Sequence, residues 1–172
     1  DEYFAIDFLE LSTSQKNIAV PGAGSTIRVP EDFDTIQAAI NVALDGSTVL
    51  VAPGLYRENL DMLGKNIVLR SYDPLDPAVV AATIIDGDVD DDGTGDGAVI
   101  TLRGSEGDTA AVRGFTLRNG DTTMGGGISG NGTYAAVEEN IIEDNKARFG
   151  GGVALCRRAR RARLLARHGP GR

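Results

Sequence analysis

The chain has 172 residues, a length typical of one domain with enough material for a hydrophobic core. Its formal net charge of −8 argues against nucleic acid and anionic membranes as partners, and no apolar run approaches the length of a membrane span. Twenty-three glycines and no tryptophan favour a turn-rich, all-β chain, and a single cysteine excludes an internal disulfide.

Charge is divided unevenly along the chain. Residues 1–155 carry ten Lys and Arg against 25 Asp and Glu, a balance of −15, whereas residues 156–172 carry seven Arg and no acid. An acidic body of this kind favours cations or neutral ligands. The chain begins at Asp1 rather than at Met, so we expect a processed or excised segment.

Residues 1–25 form a lead segment with few structural signals, after which the elements become clear. TIRV at 26–29 predicts a short strand. Residues 34–45 predict an amphipathic helix, because apolar side chains recur on one face at helical spacing. Asp34 is its predicted N-cap and Gly46 its predicted end.

An acidic segment at 86–97, which we call the aspartate loop, is the sharpest chemical feature. Six of its residues between Asp86 and Asp96 are aspartates, and they would repel one another without a counterion. The segment from Asp88 to Gly93 matches the D-x-D-x-D-G start of a calcium-binding loop, and Asp96 occupies the ninth position of that frame.

The loop departs from an EF-hand, because Val99 stands where the bidentate Glu belongs and no helices flank it. We therefore predict a looser Ca²⁺ site, since hard carboxylate oxygens without nearby Cys or His favour calcium over zinc or copper. The alternative is a solvated acidic loop. The predicted ligands are Asp86, Asp88, Asp90, Asp92 and Asp96.

Residues 110–153 contain the same pattern twice. AAVRGFTLRNGDTTMGGGI at 110–128 returns at 135–153 with the same Ala-Ala-Val start and Gly-Gly-Gly end. The spacing from Ala110 to Ala135 equals that from Gly125 to Gly150, and we call it the repeat interval. A fixed period in the twenties predicts a solenoid in which each repeat buries its apolar face against its neighbours. Short β-type pieces punctuated by Gly and Asn favour coils of a parallel β-helix, with glycines at the corners.

The division of the chain follows from this fold. We predict a parallel β-helix over 26–155, with the helix at 34–45 covering the otherwise open first coil. The Arg- and Ala-rich segment 156–172 breaks every pattern, and its composition is typical of GC-rich coding DNA translated out of frame. We expect this basic tail to be non-native or frame-shifted. The last coil then presents an open end, through which we expect a homo-oligomer.

Two groups of residues carry a family resemblance. TIQAAI and GSTVLVAPGLYREN resemble the opening of the right-handed parallel β-helix families, among them pectate lyases and pectin esterases. GFTLRNG with GGGI, and IIEDNKA with GGGV, resemble the coil repeats of polymorphic outer-membrane-type proteins. The resemblance covers 26–155 and implies a right-handed β-helix in a secreted or cell-surface protein. It does not fix the chemistry, because this solenoid hosts lyases, hydrolases, esterases, adhesins and inert stalks.

Candidate catalytic residues are few. In β-helix lyases a basic side chain near bound calcium abstracts the substrate proton, and the resemblance offers this role to an arginine near the aspartate loop. A surface ion pair between Arg118 and Asp144 of successive coils is the simpler explanation of that arginine. Asp121, Glu143 and Asp144 could supply a pair of carboxylates for hydrolysis, but chance proximity is the better explanation on so acidic a solenoid. The catalytic residues of pectin esterases have no matching motif here. The candidates are Arg113, Arg118, Asp121, Glu143 and Asp144.

Three function classes remain open. The first is a secreted, calcium-binding β-helix of the carbohydrate-active type, acting on or binding an acidic polysaccharide. The second is a non-catalytic surface or adhesion module in which calcium only stiffens a loop. The third is a calcium-assisted hydrolase of small esters or lactones, with the metal polarising a carbonyl and activating water.

Overall fold

The computed structural model describes residues 21–156 and 162–163, so the predictions for 1–20 and for most of 156–172 lie outside the described residues. The described part consists of parallel β-sheets with two short helices. None of its helices has the length and apolar character needed to cross a membrane. The elements are β1 Thr26–Val29, α1 Ile36–Val42, β2 Thr48–Val51, β3 Gly54–Arg57, β4 Leu60–Asp61, β5 Val68–Ser71, α2 Pro77–Ala82, β6 Thr83–Asp86, β7 Ile100–Leu102, β8 Ala111–Arg113, β9 Thr116–Arg118, β10 Asp121–Met124, β11 Ile128–Asn131, β12 Ala136–Glu138, β13 Ile141–Ile142, β14 Lys146–Phe149, β15 Val153–Cys156 and β16 Ala162–Arg163.

Strands that are distant in sequence pair side by side in four sheets. One sheet has six strands in the order β1-β2-β5-β8-β12-β16, two have four strands in the orders β3-β6-β9-β13 and β4-β7-β11-β15, and β10 pairs with β14. All pairings are parallel. The mostly parallel β structure confirms the all-β class and is compatible with the predicted β-helix.

The predicted repeat interval appears directly in the strand register. Each of the four sheets contains residues paired at this interval, as in Ala111–Ala136, Thr116–Ile141, Asp121–Lys146 and Ile128–Val153. The glycine runs also lie side by side, because the Gly127 amide donates to the Gly151 carbonyl at 3.0 Å. The interval joins Val137 to Ala162 as well.

The turns between strands repeat with the strands. Asn119 has φ +58°, and Asp144, one repeat interval later, has φ +53°. Asn145 does not share this backbone position; its side-chain oxygen accepts the Gly120 amide at 2.8 Å, and its side-chain nitrogen donates to the Leu117 carbonyl. A polar side chain thus satisfies backbone groups of the preceding repeat at this corner.

The core follows from alternation along the six-stranded sheet. Successive strands place one aliphatic residue in register on the inner side, and all five are at most 2% exposed: Ile27, Val49, Leu69, Val112 and Val137. Because successive side chains of a strand point to opposite faces, their sequence neighbours point outward. Large side chains from the other sheets, including Phe115 and Ile100, complete the core.

Helix α1 packs its buried face, which includes Ile36 and Ile40, against the first strands. It covers Ile36–Val42 and is therefore shorter at both ends than the predicted 34–45. Thr35, not Asp34, is the N-cap, and its hydroxyl accepts the Ala38 amide at 3.2 Å.

Residues distant in sequence hold both ends of α1. The Glu58 carboxylate accepts the first two helical amides at 2.8 and 2.9 Å. The Lys65 ammonium donates to three carbonyls at or next to the last turn, at 2.8 to 2.9 Å. Gly46, the predicted end, instead donates its amide to the Asn66 carbonyl. Long-range caps therefore fix the helix ends that local sequence signals misplaced.

Candidate metal centre on the aspartate loop

The aspartate loop leaves the end of β6 and returns to the sheets just before β7. Backbone hydrogen bonds attach it to the neighbouring strand and turn, since the Arg118 carbonyl accepts the Gly87 amide and the Gly97 carbonyl accepts the Asp121 amide. Gly95 lies directly against that turn, where a Cβ atom would collide with the Asn119 carbonyl oxygen. The loop is therefore held close to the body at its start and its end.

Three of the five predicted ligands converge. Asp88, Asp90 and Asp96 each offer a carboxylate oxygen within 4.8 Å of the others. Oxygens on opposite sides of a calcium ion, at about 2.4 Å each, lie about 4.8 Å apart, so this group has the dimensions of one Ca²⁺ coordination sphere. Asp88 is only 6% exposed, whereas the other two carboxylates face solvent.

Backbone amides orient two of the three carboxylates. The two oxygens of Asp88 accept the amides of Asp92 and Gly93 at 3.0 and 2.9 Å, and Asp96 accepts the Val89 amide at 3.0 Å. A carboxylate oxygen that accepts one such bond keeps a lone-pair direction for a cation. The loop thus holds its carboxylates in place through its own backbone.

Asp86 belongs to a different network. It is 1% exposed, and its oxygens accept hydrogen bonds from Arg118, Asn119 and the Asp88 amide at 2.8, 2.9 and 3.2 Å. Burial alone would raise the pKa of Asp86, but the hydrogen bonds from these donors, together with the Arg118 charge, hold it below the ordinary value. Asp86 therefore anchors the loop to β9 and aligns Asp88.

Asp92 also lies outside the converging group. Its carboxylate accepts the hydroxyl and, at 2.8 Å, the amide of Thr94. These bonds, the hydroxyl bond first, lower the pKa of Asp92. The aspartate therefore forms a local turn within the loop.

Arg57 is a loop contact that the sequence did not indicate. Its Nη1 lies 2.6 Å from an Asp91 oxygen and 3.3 Å from the Asp88 carbonyl oxygen. The arginine stands at the end of β3, which pairs with β6 in the same sheet. The register of β3 against β6, rather than sequence proximity, brings it to the loop.

A polar cleft of about 260 Å³ lies beside the aspartate loop. Its walls come from the loop and from two turns that are one repeat interval apart, and the lining residues are Gly93, Gly95, Asn119, Gly120, Asp121, Asp144, Asn145 and Lys146. Two of the five candidate catalytic residues, Asp121 and Asp144, therefore face one cavity. Glu143 is not among its lining residues.

The two candidate arginines lie apart from one another and are ion-paired. Arg118 contacts Asp86 at 2.8 Å, so the predicted pair with Asp144 was wrong: the guanidinium joins the preceding strand instead of the following one. Arg113 contacts Glu138 at 3.2 Å in the six-stranded sheet. Neither arginine lines the cleft.

Comparison of the chain with protein-family models gives no match, and neither curated proteins nor solved structures match it. The fold and the site therefore define the class by themselves: a mostly parallel β protein with an acidic loop and a polar cleft beside it.

Proposed function

We propose that this chain is a secreted or cell-surface right-handed parallel β-helix of the carbohydrate-active type, and that its aspartate loop binds Ca²⁺. The convergence of Asp88, Asp90 and Asp96 carries the proposal, because three carboxylate oxygens within 4.8 Å repel one another unless a cation lies among them. The repeat interval that pairs residues in each of the four parallel sheets supports the β-helix.

The donor set favours calcium over other metals. The three converging side chains supply only oxygen, which suits hard cations. Calcium accepts six to eight oxygens in flexible geometry, so carbonyls and water can complete the sphere at this partly exposed site. Val99, in the place of the EF-hand glutamate, is fully buried and packs in the core, so the loop supplies no bidentate ligand there.

A calcium titration tests the metal proposal. With three carboxylates and no bidentate glutamate, we expect weak binding, with Kd on the order of 10⁻⁴ to 10⁻³ M. Asp90→Asn removes an exposed ligand and should weaken binding about tenfold, whereas Asp108→Asn, at an exposed aspartate outside the loop, should leave it unchanged. Calorimetry measures both. Equal affinities of the two variants would contradict the assignment.

The polar cleft is the proposed place for a substrate. It lies directly beside the loop, and Asp121, Asp144 and Lys146 offer it two carboxylates and one ammonium group. Such groups hydrogen-bond to sugar hydroxyls. Release of unsaturated uronate and hydrolysis of esters, each measured with Ca²⁺ and with chelator, separate the lyase from a calcium-assisted hydrolase.

A non-catalytic surface module is the second candidate. The ion pairs of Arg113 with Glu138 and of Arg118 with Asp86 favour it, because each arginine holds neighbouring strands together and neither faces the cleft. In this case calcium stiffens the loop without taking part in chemistry. Calcium binding without activity in either assay would support the module.

We also propose that the protein associates with copies of itself at the end of the sheets formed by β13, β14 and β15. In the described part of the chain these strands pair on one side only. Phe149 on β14 is 57% exposed beside this edge. Unpaired edges with exposed apolar groups favour strand pairing between molecules. Light scattering after size-exclusion chromatography tests this, and a monomer at all concentrations would contradict it.

A further inference from the structure

The outer face of the six-stranded sheet carries a line of arginines. The register places Arg28 opposite Leu50, Leu50 opposite Arg70, and Arg70 opposite Arg113 on successive strands. Their sequence neighbours form the inner aliphatic file, so these side chains point outward. We call Arg28, Arg70 and Arg113 the arginine file.

Two members of the file lie directly opposite each other. Arg70 and Arg113 occupy paired positions on adjacent strands, which are about 4.8 Å apart. Like charges in this position are destabilising unless an opposite charge lies between them. Such a pair is unexpected in a chain whose net charge is −8, because acidic neighbours are abundant.

Acidic side chains among the described residues pair with two of the three arginines of the file. Glu31 contacts Arg28 at 3.6 Å and Glu138 contacts Arg113 at 3.2 Å, and the two arginine side chains remain 47% and 44% exposed, respectively. Exposed pairs of this kind contribute little. Among the described residues, no carboxylate forms a salt bridge with Arg70.

Arg70 is held in place but keeps free donors. Its Nη1 donates to the carbonyls of Ser71 and Tyr72, at 3.4 and 3.2 Å. None of the described residues accepts its Nε and Nη2 hydrogens, and a guanidinium presents such hydrogens as a fork that matches a carboxylate or sulfate group. Tyr72, 39% exposed beside Arg70, offers an aromatic ring of the kind that packs against sugars.

We propose that the arginine file binds a linear anionic polysaccharide, whose carboxylate or sulfate groups lie between neighbouring arginines. The cations lie across the strands, with Arg70 and Arg113 on adjacent strands and Leu50 between Arg28 and Arg70. This arrangement suits a polymer with several charges rather than a single small anion. The saccharide class rests on the proposed carbohydrate-active function. A nucleic acid is the other common polyanion, and the acidic remainder of the chain opposes both ligands alike. The choice of a saccharide therefore comes from the proposed function, and DNA is an arm of the test.

The site is independent of the calcium proposal. The aspartate loop follows β6, which belongs to a four-stranded sheet, whereas the file lies on β1, β5 and β8 of the six-stranded sheet. Binding through arginines therefore persists when calcium is removed. This difference allows the two proposals to be tested separately.

The test measures binding of the full chain to short galacturonate oligomers, sulfated oligosaccharides, neutral oligosaccharides and single-stranded DNA, at low ionic strength with EDTA. We expect wild type to bind the carboxylated or sulfated oligomers and not the neutral ones. Arg70→Gln should weaken binding about two- to fivefold, since each exposed charge contact contributes modestly. Combined with Arg113→Gln, the loss should reach about tenfold or more. Arg148→Gln, on β14 of another sheet, removes the same charge and should change affinity less than about twofold.

Three outcomes would overturn the inference: no binding of any anionic oligosaccharide, equal losses in Arg70→Gln and Arg148→Gln, or tighter binding of DNA than of every glycan. The preference between carboxylated and sulfated oligomers identifies the source of the anion. Circular dichroism verifies that each variant is folded. Absent glycan binding with intact calcium binding refutes the file alone, whereas Arg70-dependent glycan binding without calcium binding refutes the metal centre alone.

Discussion

Replacing Asp86 with asparagine tests whether the loop depends on the ion pair beneath it. The side chain is 2% exposed and pairs with Arg118, whose side chain is 32% exposed. Breaking a fully buried pair costs about 3–5 kcal/mol, and because a third of Arg118 stays in water we reduce this to about 2–3 kcal/mol. The new amide would also direct N–H groups at donors of Arg118 and Asn119.

Urea unfolding measures the loss, which corresponds to a decrease in Tm of roughly 4–12 °C for a chain of this size. Asp108→Asn, at an exposed aspartate outside the network, is the matched control and should change stability by less than about 0.5 kcal/mol. Calcium affinity should fall too, because Asp86 accepts the Asp88 amide and so orients a ligand.

The pH dependence provides a second test of the same pair. The pKa of Asp86 is lower in the folded chain than its ordinary value of 3.8. Its contribution is therefore complete above the unfolded value and is lost as pH falls through the folded value. The stability difference between wild type and Asp86→Asn should be constant near neutrality and should shrink below about pH 4. A difference that is absent at pH 7, or independent of pH down to pH 3, would refute the reasoning.

Two further substitutions test the fold. Glu58→Gln removes the negative charge that caps the first two amides of α1 and should lower the free energy of unfolding by about 1–2 kcal/mol, measured with urea. An unchanged midpoint would show that the Thr35 cap is sufficient. Gly120→Ala places a Cβ atom against the Gly126 carbonyl oxygen and should lower the free energy of unfolding by at least about 2 kcal/mol. Gly22→Ala, which has open space around it, is the control and should be nearly neutral. Equal melting temperatures of the two variants would contradict the close approach of Gly120 to Gly126.

The sequence predicts what is repeated at a constant interval. Ala111 and Val112 recur as Ala136 and Val137, and the strand register pairs each residue with its own repeat. The helix face was predictable too, because apolar spacing is local, but its ends were not. Glu58 and Lys65, which hold those ends, lie well beyond the helix in sequence and reach it only through the parallel pairing of strands.

The aspartate loop shows a second limit. Its motif identifies five candidate ligands, but the three that converge differ from the other two only in their partners. Arg118 and Asn119, at the end of β9, engage Asp86, and Thr94 engages Asp92. The number of aspartates in the motif therefore exceeds the number of available ligands, because other side chains already occupy two of the carboxylates.

The arginine file could not be found by spacing at all. Neither the step from Arg28 to Arg70 nor the step from Arg70 to Arg113 is a multiple of the repeat interval, because insertions of different length separate the paired strands. The insertions form loops outside the sheets, and the flanking strands still pair in parallel. Residues with no regular spacing in the sequence therefore become neighbours on adjacent strands. The aspartate loop is one such insertion, between β6 and β7, and the chain between β5 and β8 includes it, yet β5 and β8 pair directly. The acidic loop therefore follows a strand of one sheet, whereas the arginine file lies on another.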